Sequence, residues 1–218
     1  MPRKNIRPLL GKPLIAYTIE QARACSQIDR VFVSTDDEEI AAVATSCGAE
    51  VPFLRPTELA TSTASKLDAI QHLIDWVANK EGPFDTIVDL DPTSPLRSIE
   101  DIGACLGLLT EDVALVITAY PAEKNPYFNM VEHKPDGGVG LVIPSESYVR
   151  TRQSAPPVYA MNASIYAWHE RTFSRNLWAG RIALHVMPRE RSIDIDSEID
   201  FDLVDLLMRR RLAADAPL

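Results

Sequence analysis

Two aspartates near the end of the sequence have the spacing of a metal-binding pair. Asp194 and Asp196 are separated by one apolar residue, so in an extended segment both carboxylates lie on the same face. Such a pair suits Mg²⁺, which binds one or two carboxylates together with waters and substrate phosphate. The alternative is an acidic loop that caps the next helix, for which Glu198 and Asp200 are suitable. The spacing by itself leaves the metal site and the helix cap open.

A stiff polar string, Asp91-Pro92-Thr93-Ser94-Pro95-Leu96-Arg97, follows directly after an apolar run. The run has the composition of a buried strand, and ligands of open α/β sheets bind outside the carboxyl ends of the strands. The hydroxyls of Thr93 and Ser94 are therefore candidates for substrate contact. The alternative is a strand-to-helix loop in which Ser94 or Ser98 caps the next helix. Capping accounts for one hydroxyl and not for the whole string.

Basic residues in three other stretches have the chemistry to bind anions. Lys4 lies in a basic segment near the start, and Arg55 begins a polar loop that runs into a predicted helix. An arginine beside a helix N-terminus favours phosphate binding. Arg150 and Arg152 precede a predicted strand, and guanidinium groups bind the carboxylate of an acidic sugar through two parallel hydrogen bonds. Each stretch also has an ordinary interpretation, as a basic terminus, a capped helix or a charged surface loop.

The elements that must position these residues alternate along the first half of the sequence. Apolar, β-branched runs predict buried strands, and stretches with apolar residues at helical spacing predict the helices between them. This alternation favours an α/β fold with a mostly parallel sheet and helices on both faces. The predicted strands are 30–34, 86–90 and 113–118, and the predicted helices are 14–25, 38–47, 65–79 and 98–110.

The alternation stops near residue 120, where residues 121–160 contain six prolines and an Asp-Gly-Gly turn signal. We interpret this segment as an insertion with antiparallel strands, including a hairpin around 130–142. A strand at 159–168 then returns to the sheet, and a helix at 201–211 closes the chain. Because no linker-like segment divides the sequence, we predict a single domain over residues 1–218.

Composition excludes several classes of function. The chain has 218 residues, 46% of them hydrophobic and 24% charged, which is typical of a globular core with a charged surface. Its net charge of −9 disfavours general nucleic-acid binding, which needs a basic surface. No apolar run reaches the roughly 18 residues that a membrane span needs. Three cysteines without metal-ligand spacing favour a reduced, cytoplasmic protein.

Taken together, these strings resemble the acylneuraminate cytidylyltransferases, the CMP-sialic acid synthetases. The matching strings occur in the family's order and cover nearly the whole chain. The resemblance implies a Rossmann-like nucleotidyltransferase fold in which residues 121–160 form a dimerisation insertion. The matches are Pro2-Arg3-Lys4-Asn5, Gly11-Lys12-Pro13-Leu14-Ile15, Val33-Ser34-Thr35-Asp36, the loop 55–65, Pro92-Thr93-Ser94-Pro95-Leu96-Arg97, Asn162 with Ile165-Tyr166, and Ser192-Ile193-Asp194-Ile195-Asp196.

By this resemblance the chain makes a CMP-sugar and pyrophosphate from CTP and a nine-carbon 2-keto-3-deoxy acidic sugar, with Mg²⁺ as cofactor. Asp194 and Asp196 would hold the metal, and Lys4 would join them as a catalytic residue. The chain would act as a homodimer, with arginines of the insertion reaching the partner's site. The implied nucleotide-binding residues are Lys4, Asn5, Arg55, Ala64 and Ser65, and the implied sugar-binding residues are Asp91, Thr93, Ser94, Arg150, Arg152, Tyr159 and Asn162.

The sequence departs from the family's pattern in two places. The family has a strand and a phosphate-binding loop before the Pro-x-Lys-Asn string, whereas this sequence begins inside that string. We expect a chain extended upstream by about a dozen residues to turn over faster. Sialic acid enzymes commonly have Gln where Asp91 stands, and Arg-Pro-Asn-Gly in place of Ala160-Met161-Asn162-Ala163. These differences favour a relative that activates legionaminic acid or another diamino nonulosonate.

Three alternatives are weighed against this hypothesis. A cytidylyltransferase for 3-deoxy-manno-octulosonate shares the chemistry and the fold, but the string Asn162-Ala163-Ser164-Ile165-Tyr166 favours the nine-carbon group. A catalytically impaired or silent nucleotide-binding protein or scaffold is the second, and Mg²⁺-dependent heat on CTP addition separates it from an enzyme. A dinucleotide oxidoreductase is disfavoured, because no glycine fingerprint follows a strand.

Overall fold

The computed structural model describes residues 3–61, 63–144 and 151–215. Its helices are α1 (Leu14–Ala24), α2 (Glu38–Ser46), α3 (Lys66–Glu81), α4 (Ile99–Leu108) and α5 (Glu198–Asp215). Asp37 caps α2, Ser65 caps α3 and Ser98 caps α4, each by accepting from backbone N–H groups of the first turn. Such caps satisfy donors that a helix leaves free at its N-terminus. Among the described helices, none combines the length and apolar character that crossing a membrane requires.

A four-stranded sheet forms the centre of the fold. The described strands are β1 (Pro8–Leu9), β2 (Lys12–Pro13), β3 (Thr86–Leu90), β4 (Leu115–Pro121), β5 (Val131–His133), β6 (Val139–Leu141), β7 (Tyr159–His169) and β8 (Ile182–Val186). The sheet has the order β3-β7-β4-β8. β7 is antiparallel to both neighbours, and β4 is parallel to β8. Three of the four strands therefore run in one direction, and β7 is the reversed strand between them.

Helices cover both faces of this sheet, as predicted. On one face Val116 of β4 packs in a cluster with Cys105 of α4. On the other face Leu115 packs in a cluster with Leu67 of α3. Because neighbouring residues of a strand point to opposite faces, β4 contributes to both layers. The prediction of an α/β fold with a central sheet between helices is confirmed.

The sheet differs from the sequence prediction at two places. The segment predicted as a strand at 30–34 forms one isolated parallel bridge, between Phe32 and Glu50, and a second follows it between Thr35 and Leu54. Pro52 lies in the partner segment, and proline has no backbone N–H to donate to a strand pair, which accounts for the interrupted pairing. The edge strand β8 has no counterpart in the prediction, because its five-residue run includes the polar His185.

Between β4 and β7, the described residues 122–144 leave the sheet and carry the predicted hairpin, in which β5 pairs with β6. Gly137 has a φ of 85° in the connecting turn, a conformation that glycine adopts without strain. Val131 and Val139 lie on the same face of the hairpin, because Val139 is opposite His133. Both valines are 63% exposed, so this face is an apolar surface.

Candidate functional site

The loop after β3 and the segment before α5 meet at the carboxyl end of β3. Thr93 lies between them, and its carbonyl accepts a hydrogen bond from the backbone N–H of Ile195 at 3.0 Å. The Thr93 hydroxyl is hydrogen-bonded to Asp91, at 2.7 Å, and to Asp194. The structure therefore brings a predicted sugar-binding loop into contact with one of the predicted metal ligands, although Thr93 and Asp194 are 101 residues apart in the sequence.

Lys4 contacts the same segment from the start of the chain. Its ammonium donates to the carbonyl of Ile195 at 2.8 Å and to the carboxylate of Asp196 at 3.0 Å. Lys4 opens the 3₁₀ helix Lys4–Ile6, which fixes its backbone. The three residues predicted to be catalytic, Lys4, Asp194 and Asp196, consequently lie in one continuous group.

The electrostatics at Asp194 fit a bound cation. Burial raises the pKa of Asp194, and the negative charges of Asp91 and Asp196 raise it further. A nearby cation favours the charged form of such a carboxylate, and Mg²⁺ binds through hard oxygen ligands of this kind. Within the described residues, no group of three or more His, Cys, Asp or Glu side chains is placed to hold a metal by itself.

Asp91 is held as a carboxylate by Lys66. The Lys66 ammonium lies 3.4 Å from Asp91 and 2.7 Å from Asp89. Burial by itself would raise the pKa of Asp91, but the charge of Lys66 and hydrogen bonds from Thr93 outweigh burial and lower it. Asp91 is therefore a charged hydrogen-bond acceptor at the carboxyl end of β3. Lys66 was not predicted from the sequence, where its only signal is its place at the first position of α3, beside the predicted polar loop.

Arg97 fixes the backbone of the polar string from inside the protein. Its fully buried side chain donates to the hydroxyl of Thr18 and to three carbonyl oxygens, those of Asp91, Ser94 and Ser164. Burial lowers the pKa of Arg97 to about 10, so it remains a cation at neutral pH. Ser94, a predicted sugar-binding residue, is itself fully buried, and its hydroxyl has no hydrogen-bond partner among the described residues. Ser94 therefore lies beneath the loop rather than on its surface.

A distortion in β7 positions Asn162, another predicted sugar-binding residue. The register between β4 and β7 shifts between Ile117 and Ala119, and the Thr118 hydroxyl fills the gap, 2.6 Å from Asn162 Oδ1. Asn162 is 5% exposed. The next residue, Ala163, has a φ of 52°, which is the left-handed region that residues with a Cβ rarely adopt. Asn162 thus serves the local geometry of the strand, in addition to any contact with a ligand.

The remaining predicted sugar-binding residues belong, in the sequence, to the last part of the segment 121–160. Tyr159 is the first residue of β7, paired with Pro121, and the residue is 46% exposed. Arg152 begins the 3₁₀ helix Arg152–Ser154. Arg150 lies outside the described residues.

Three polar atoms near the predicted nucleotide site are buried without a hydrogen-bond partner within the described structure. They are Asn5 Oδ1, Ser34 Oγ and Arg55 Nε. Another nitrogen of Arg55 pairs with Asp36 at 3.3 Å. Buried polar atoms are almost always hydrogen-bonded in folded proteins, so these three atoms are available to a ligand, and their contact with a nucleotide stays a prediction.

Ala64 and Ser65, also predicted at the nucleotide site, form the approach to α3. The backbone N–H of Ala64 donates to the carbonyl of Thr61 at 3.1 Å. The Ser65 hydroxyl accepts from the backbone N–H of Leu67 at 3.2 Å, which is the helix-cap arrangement that the sequence left open. A nucleotide contact by either residue stays a prediction.

A second polar cluster, which was not predicted from the sequence, joins α4, β8 and the 3₁₀ helix Arg189–Arg191. Asp101 of α4 is 2% exposed, and its carboxylate contacts Arg191 and His185. Burial by itself would raise the pKa of Asp101, but hydrogen bonds from Arg191 and His185 outweigh it and lower the pKa to about 2. The pattern of Ser98 with Asp101 three residues later signals a helix cap. Nothing in the sequence indicates that Arg191 and His185 converge on it.

Residues 1–132 match a family model described as cytidylyltransferase. A CMP-N,N'-diacetyllegionaminic acid synthase of Campylobacter jejuni is 39% identical over 209 residues, which is 94% of this chain and 88% of that protein. The post-translational flagellin modification protein B of Campylobacter coli is 37% identical over 213 residues, covering 95% of this chain and 89% of that protein.

Among solved structures, a CMP:2-keto-3-deoxy-manno-octonic acid synthetase complexed with CTP superposes on this chain with a TM-score of 0.67. The match covers 97% of this chain and 93% of that chain, at 16% sequence identity. At this level of identity the similarity concerns the fold, and it includes the sheet and the helices that carry the site described above.

Proposed function

The chain belongs to the cytidylyltransferase family, and we propose that it transfers CMP from CTP to the anomeric hydroxyl of a nine-carbon acidic sugar, releasing pyrophosphate. The observation that carries this proposal is the contact between the loop after β3 and the segment before α5. That contact joins Thr93 to Asp194 and places Lys4 on Asp196. Cations, carboxylates and a hydroxyl are thereby collected at the end of the sheet where ligands of α/β proteins bind.

In this reaction the anomeric oxygen forms a bond to the α-phosphorus of CTP, and the bond to the β-phosphate oxygen breaks. The hydroxyl loses its proton, and pyrophosphate leaves with the bonding electron pair. The protein contributes mainly by positioning the reactants and by stabilising negative charge. Lys4 supplies a fixed positive charge beside Asp196, in a position to bind the triphosphate.

Asp194 and Asp196 would hold a Mg²⁺ ion, which neutralises phosphate charge when bound. Two features support this role. Asp194 carries a raised pKa because of burial and neighbouring carboxylates, and Asp196 is largely exposed, with 77% of its side chain accessible. An accessible carboxylate beside a half-buried one leaves room for phosphate and water oxygens in the coordination shell.

For the sugar, we propose a diacylamino nonulosonate such as N,N'-diacetyllegionaminic acid. The relative at 39% identity is named for that product, and a second CMP-N,N'-diacetyllegionaminic acid synthase, from Legionella pneumophila, is 33% identical over 216 residues. The charged Asp91 supports this choice, because a carboxylate accepts a hydrogen bond from an amide N–H of the sugar. A neutral glutamine, as in the sialic acid enzymes, both donates and accepts.

Pyrophosphate release from CTP and Mg²⁺ with a panel of acids tests the proposal. The panel contains N,N'-diacetyllegionaminic acid, pseudaminic acid, N-acetylneuraminate and 3-deoxy-manno-octulosonate. We expect the first to give the highest kcat/KM, and we expect Asp91→Gln to reduce that preference roughly tenfold, the value of one charged hydrogen bond. Asp89→Asn is the matched control, because Asp89 pairs with the same lysine. A clear preference for N-acetylneuraminate would overturn the choice of sugar, and no release with any acid would overturn the function.

We also propose that the chain forms a homodimer through the insertion. The apolar face of the β5–β6 hairpin, with Val131 and Val139 each 63% exposed, fits a second copy of this chain. Light scattering should show that Val131→Asp combined with Val139→Asp gives monomers. Leu212→Asp, at a residue of α5 that is 62% exposed, should leave the dimer intact. A wild-type chain that is monomeric at micromolar concentration contradicts the proposal.

A cytoplasmic location is part of the same proposal. Cys25, Cys47 and Cys105 are free thiols, which is typical of proteins in reducing compartments. Fractionation of expressing cells should recover the protein with cytoplasmic markers, and recovery with periplasmic or membrane markers would contradict this location.

A further inference from the structure

The Asp101 cluster, formed by Asp101, His185 and Arg191, takes no direct part in the reaction proposed above. Arg191 donates to both carboxylate oxygens of Asp101, each at 2.9 Å. His185 of β8 brings Nε2 to 3.0 Å from the same carboxylate, and the backbone N–H of Ser98 donates to it at 2.9 Å. A two-pronged arginine contact fixes geometry as well as charge. The cluster is therefore a rigid junction between α4, β8 and the segment before α5.

This junction is close to the proposed metal ligands along the sequence. Arg191 is three residues before Asp194 in the sequence. On the other side of Asp194, the backbone N–H of Ile195 donates to the carbonyl of Thr93 at 3.0 Å. The segment is thus anchored at both ends, and Asp194 lies between the two anchors.

Both anchors belong to one continuous stretch of the chain. Thr93 is in the loop that leads through Ser98 into α4, and Asp101 is in the first turn of that helix. The loop itself is fixed by the buried Arg97. Two stretches of backbone are therefore joined at two points, and the contact between the Asp194 carboxylate and the Thr93 hydroxyl lies between them.

We propose that the Asp101 cluster is a positioning element for the metal-binding pair. Through Arg191 it holds the segment 192–196 so that Asp194 lies against Thr93 and Asp196 lies beside Lys4. Outer residues that orient metal ligands typically change metal affinity or activity by roughly 10- to 100-fold when they are removed. The identity of the ion that the carboxylates hold rests on the proposed function. The positioning of segment 192–196 by Arg191 does not.

Arg191→Met separates positioning from general stability. Methionine keeps an apolar stem of similar length but removes the charged fork. Arg191→Lys restores the charge without the two-pronged geometry. Arg189→Met is the matched control, because Arg189 is in the same 3₁₀ helix, Arg189–Arg191, with 68% of its side chain exposed.

Two readouts are needed, both at a temperature well below every variant's melting temperature. The first is amide hydrogen exchange at Ile195 in the free protein, followed by NMR. The second is Mn²⁺ binding to the CTP-saturated chain, followed by electron paramagnetic resonance. We expect Arg191→Met to speed exchange at Ile195 about tenfold and to weaken Mn²⁺ binding roughly 10- to 100-fold. Arg191→Lys should fall in between, and Arg189→Met should match the wild type.

Unchanged exchange at Ile195 in Arg191→Met overturns the inference. So does unchanged Mn²⁺ affinity together with a lowered melting temperature, because the cluster then only stabilises the fold. Failure of the proposed function gives a different result, which is no pyrophosphate release from the wild-type chain. In that case the exchange comparison still decides whether Arg191 positions the segment.

Discussion

The two sides of the proposed site differ in how fully their polar groups are already paired, and the buried hydroxyl of Ser94 beneath the loop is the exception on the carboxylate side. The carboxylate side is formed by Lys4, Asp91, Thr93, Asp194 and Asp196. Each of these side chains is hydrogen-bonded or ion-paired to another member of the set. This side is preorganised, because its charges are held in place before any ligand arrives.

The nucleotide side is formed by Asn5, Ser34 and Arg55, and each has a buried atom with no partner within the described structure. An unpaired buried polar group costs about 1–3 kcal/mol, so this side is destabilised in the free protein. In the proposed function, the protein thus fixes the charges of the carboxylate side before a ligand arrives, and the nucleotide would supply the partners that the other side lacks. The 3₁₀ helix Lys4–Ile6 connects the two, with Lys4 on one side and Asn5 on the other.

The largest expected effect comes from removing a charge on the carboxylate side. Asp194→Asn should lower kcat by roughly 100- to 1000-fold, the range for one preorganised electrostatic contact. The same variant should unfold at the same or a higher temperature at neutral pH. Burial and the negative charges of Asp91 and Asp196 raise the pKa of Asp194. The Asp194 carboxyl group therefore contributes its full stabilisation only below the ordinary aspartate pKa. That contribution is lost as pH rises through the pKa in the folded state.

Steady-state pyrophosphate release and thermal melting at several pH values check this prediction. Asp202→Asn, at an exposed residue of α5, is the control and should change neither quantity. A marked loss of stability in Asp194→Asn at neutral pH would contradict a raised pKa, and wild-type turnover would remove Asp194 from the reaction.

The next largest effect concerns the free energy of unfolding at acid pH, to which the Asp101 cluster contributes. The pKa of Asp101 is lowered from its ordinary value of 3.8 to about 2, so its stabilising contribution is present above 3.8 and is lost as pH falls toward 2. This contribution is on the order of 2 kcal/mol. Denaturant unfolding between pH 5 and 2 should therefore show a smaller loss of stability in Asp101→Asn than in the wild type. Parallel curves for the two proteins would contradict the assignment.

On the nucleotide side, the expected effect is smaller and falls on binding. Arg55→Met should raise the KM for CTP roughly tenfold, because a charged hydrogen bond to the nucleotide is lost, while kcat changes little. The free energy of unfolding should not fall in proportion to the loss of nucleotide binding, because the substitution also removes an unpaired buried nitrogen. Arg30→Met is the matched control, because Arg30 is paired with Glu50 and Glu81. If Arg55→Met instead lowers kcat at unchanged KM, Arg55 belongs with the preorganised side.

How much of the fold could be predicted from the sequence depends on whether the residues that determine each element are neighbours in the chain. Helix starts were predictable, because Asp37 and Ser98 bond to backbone only two or three residues away. The segment 30–34 was predicted as a continuous strand but is not one, because its pairing depends on a partner segment that contains Pro52. That interruption becomes visible only when the two segments are known to be neighbours.

The candidate site shows the same dependence on distance along the chain. That Thr93 and Asp194 act together was implied only by the family resemblance, since nothing local connects residues 101 positions apart. Asp101 was missed because a buried charge and a surface charge look alike in a sequence, and Lys66 because nothing near it in the sequence shows that it meets Asp89 and Asp91. Only the fold shows that Asp101 is 2% exposed and that its partners come from two other elements.

The smallest expected effect is a gain of stability at the β7 distortion beside the carboxylate side. Ala163 has a φ of 52°, where a Cβ is unfavourable and glycine is not. Ala163→Gly should therefore raise the free energy of unfolding by about 0.5–1 kcal/mol, as measured by denaturant titration. Ala167→Gly, in the regular part of β7, should lower it. A loss of stability at both positions would mean that the lost methyl contact at Ala163 outweighs the relief of backbone strain.

The central claim is the transfer of CMP to a nine-carbon acid, and ³¹P NMR of the reaction tests it most directly. The wild-type chain is mixed with CTP, Mg²⁺ and N,N'-diacetyllegionaminic acid. We predict loss of the three CTP resonances, with one phosphodiester resonance of the CMP-sugar and pyrophosphate appearing in equal amounts. Formation of inorganic phosphate and CDP, or of free CMP without a sugar ester, would contradict the claim.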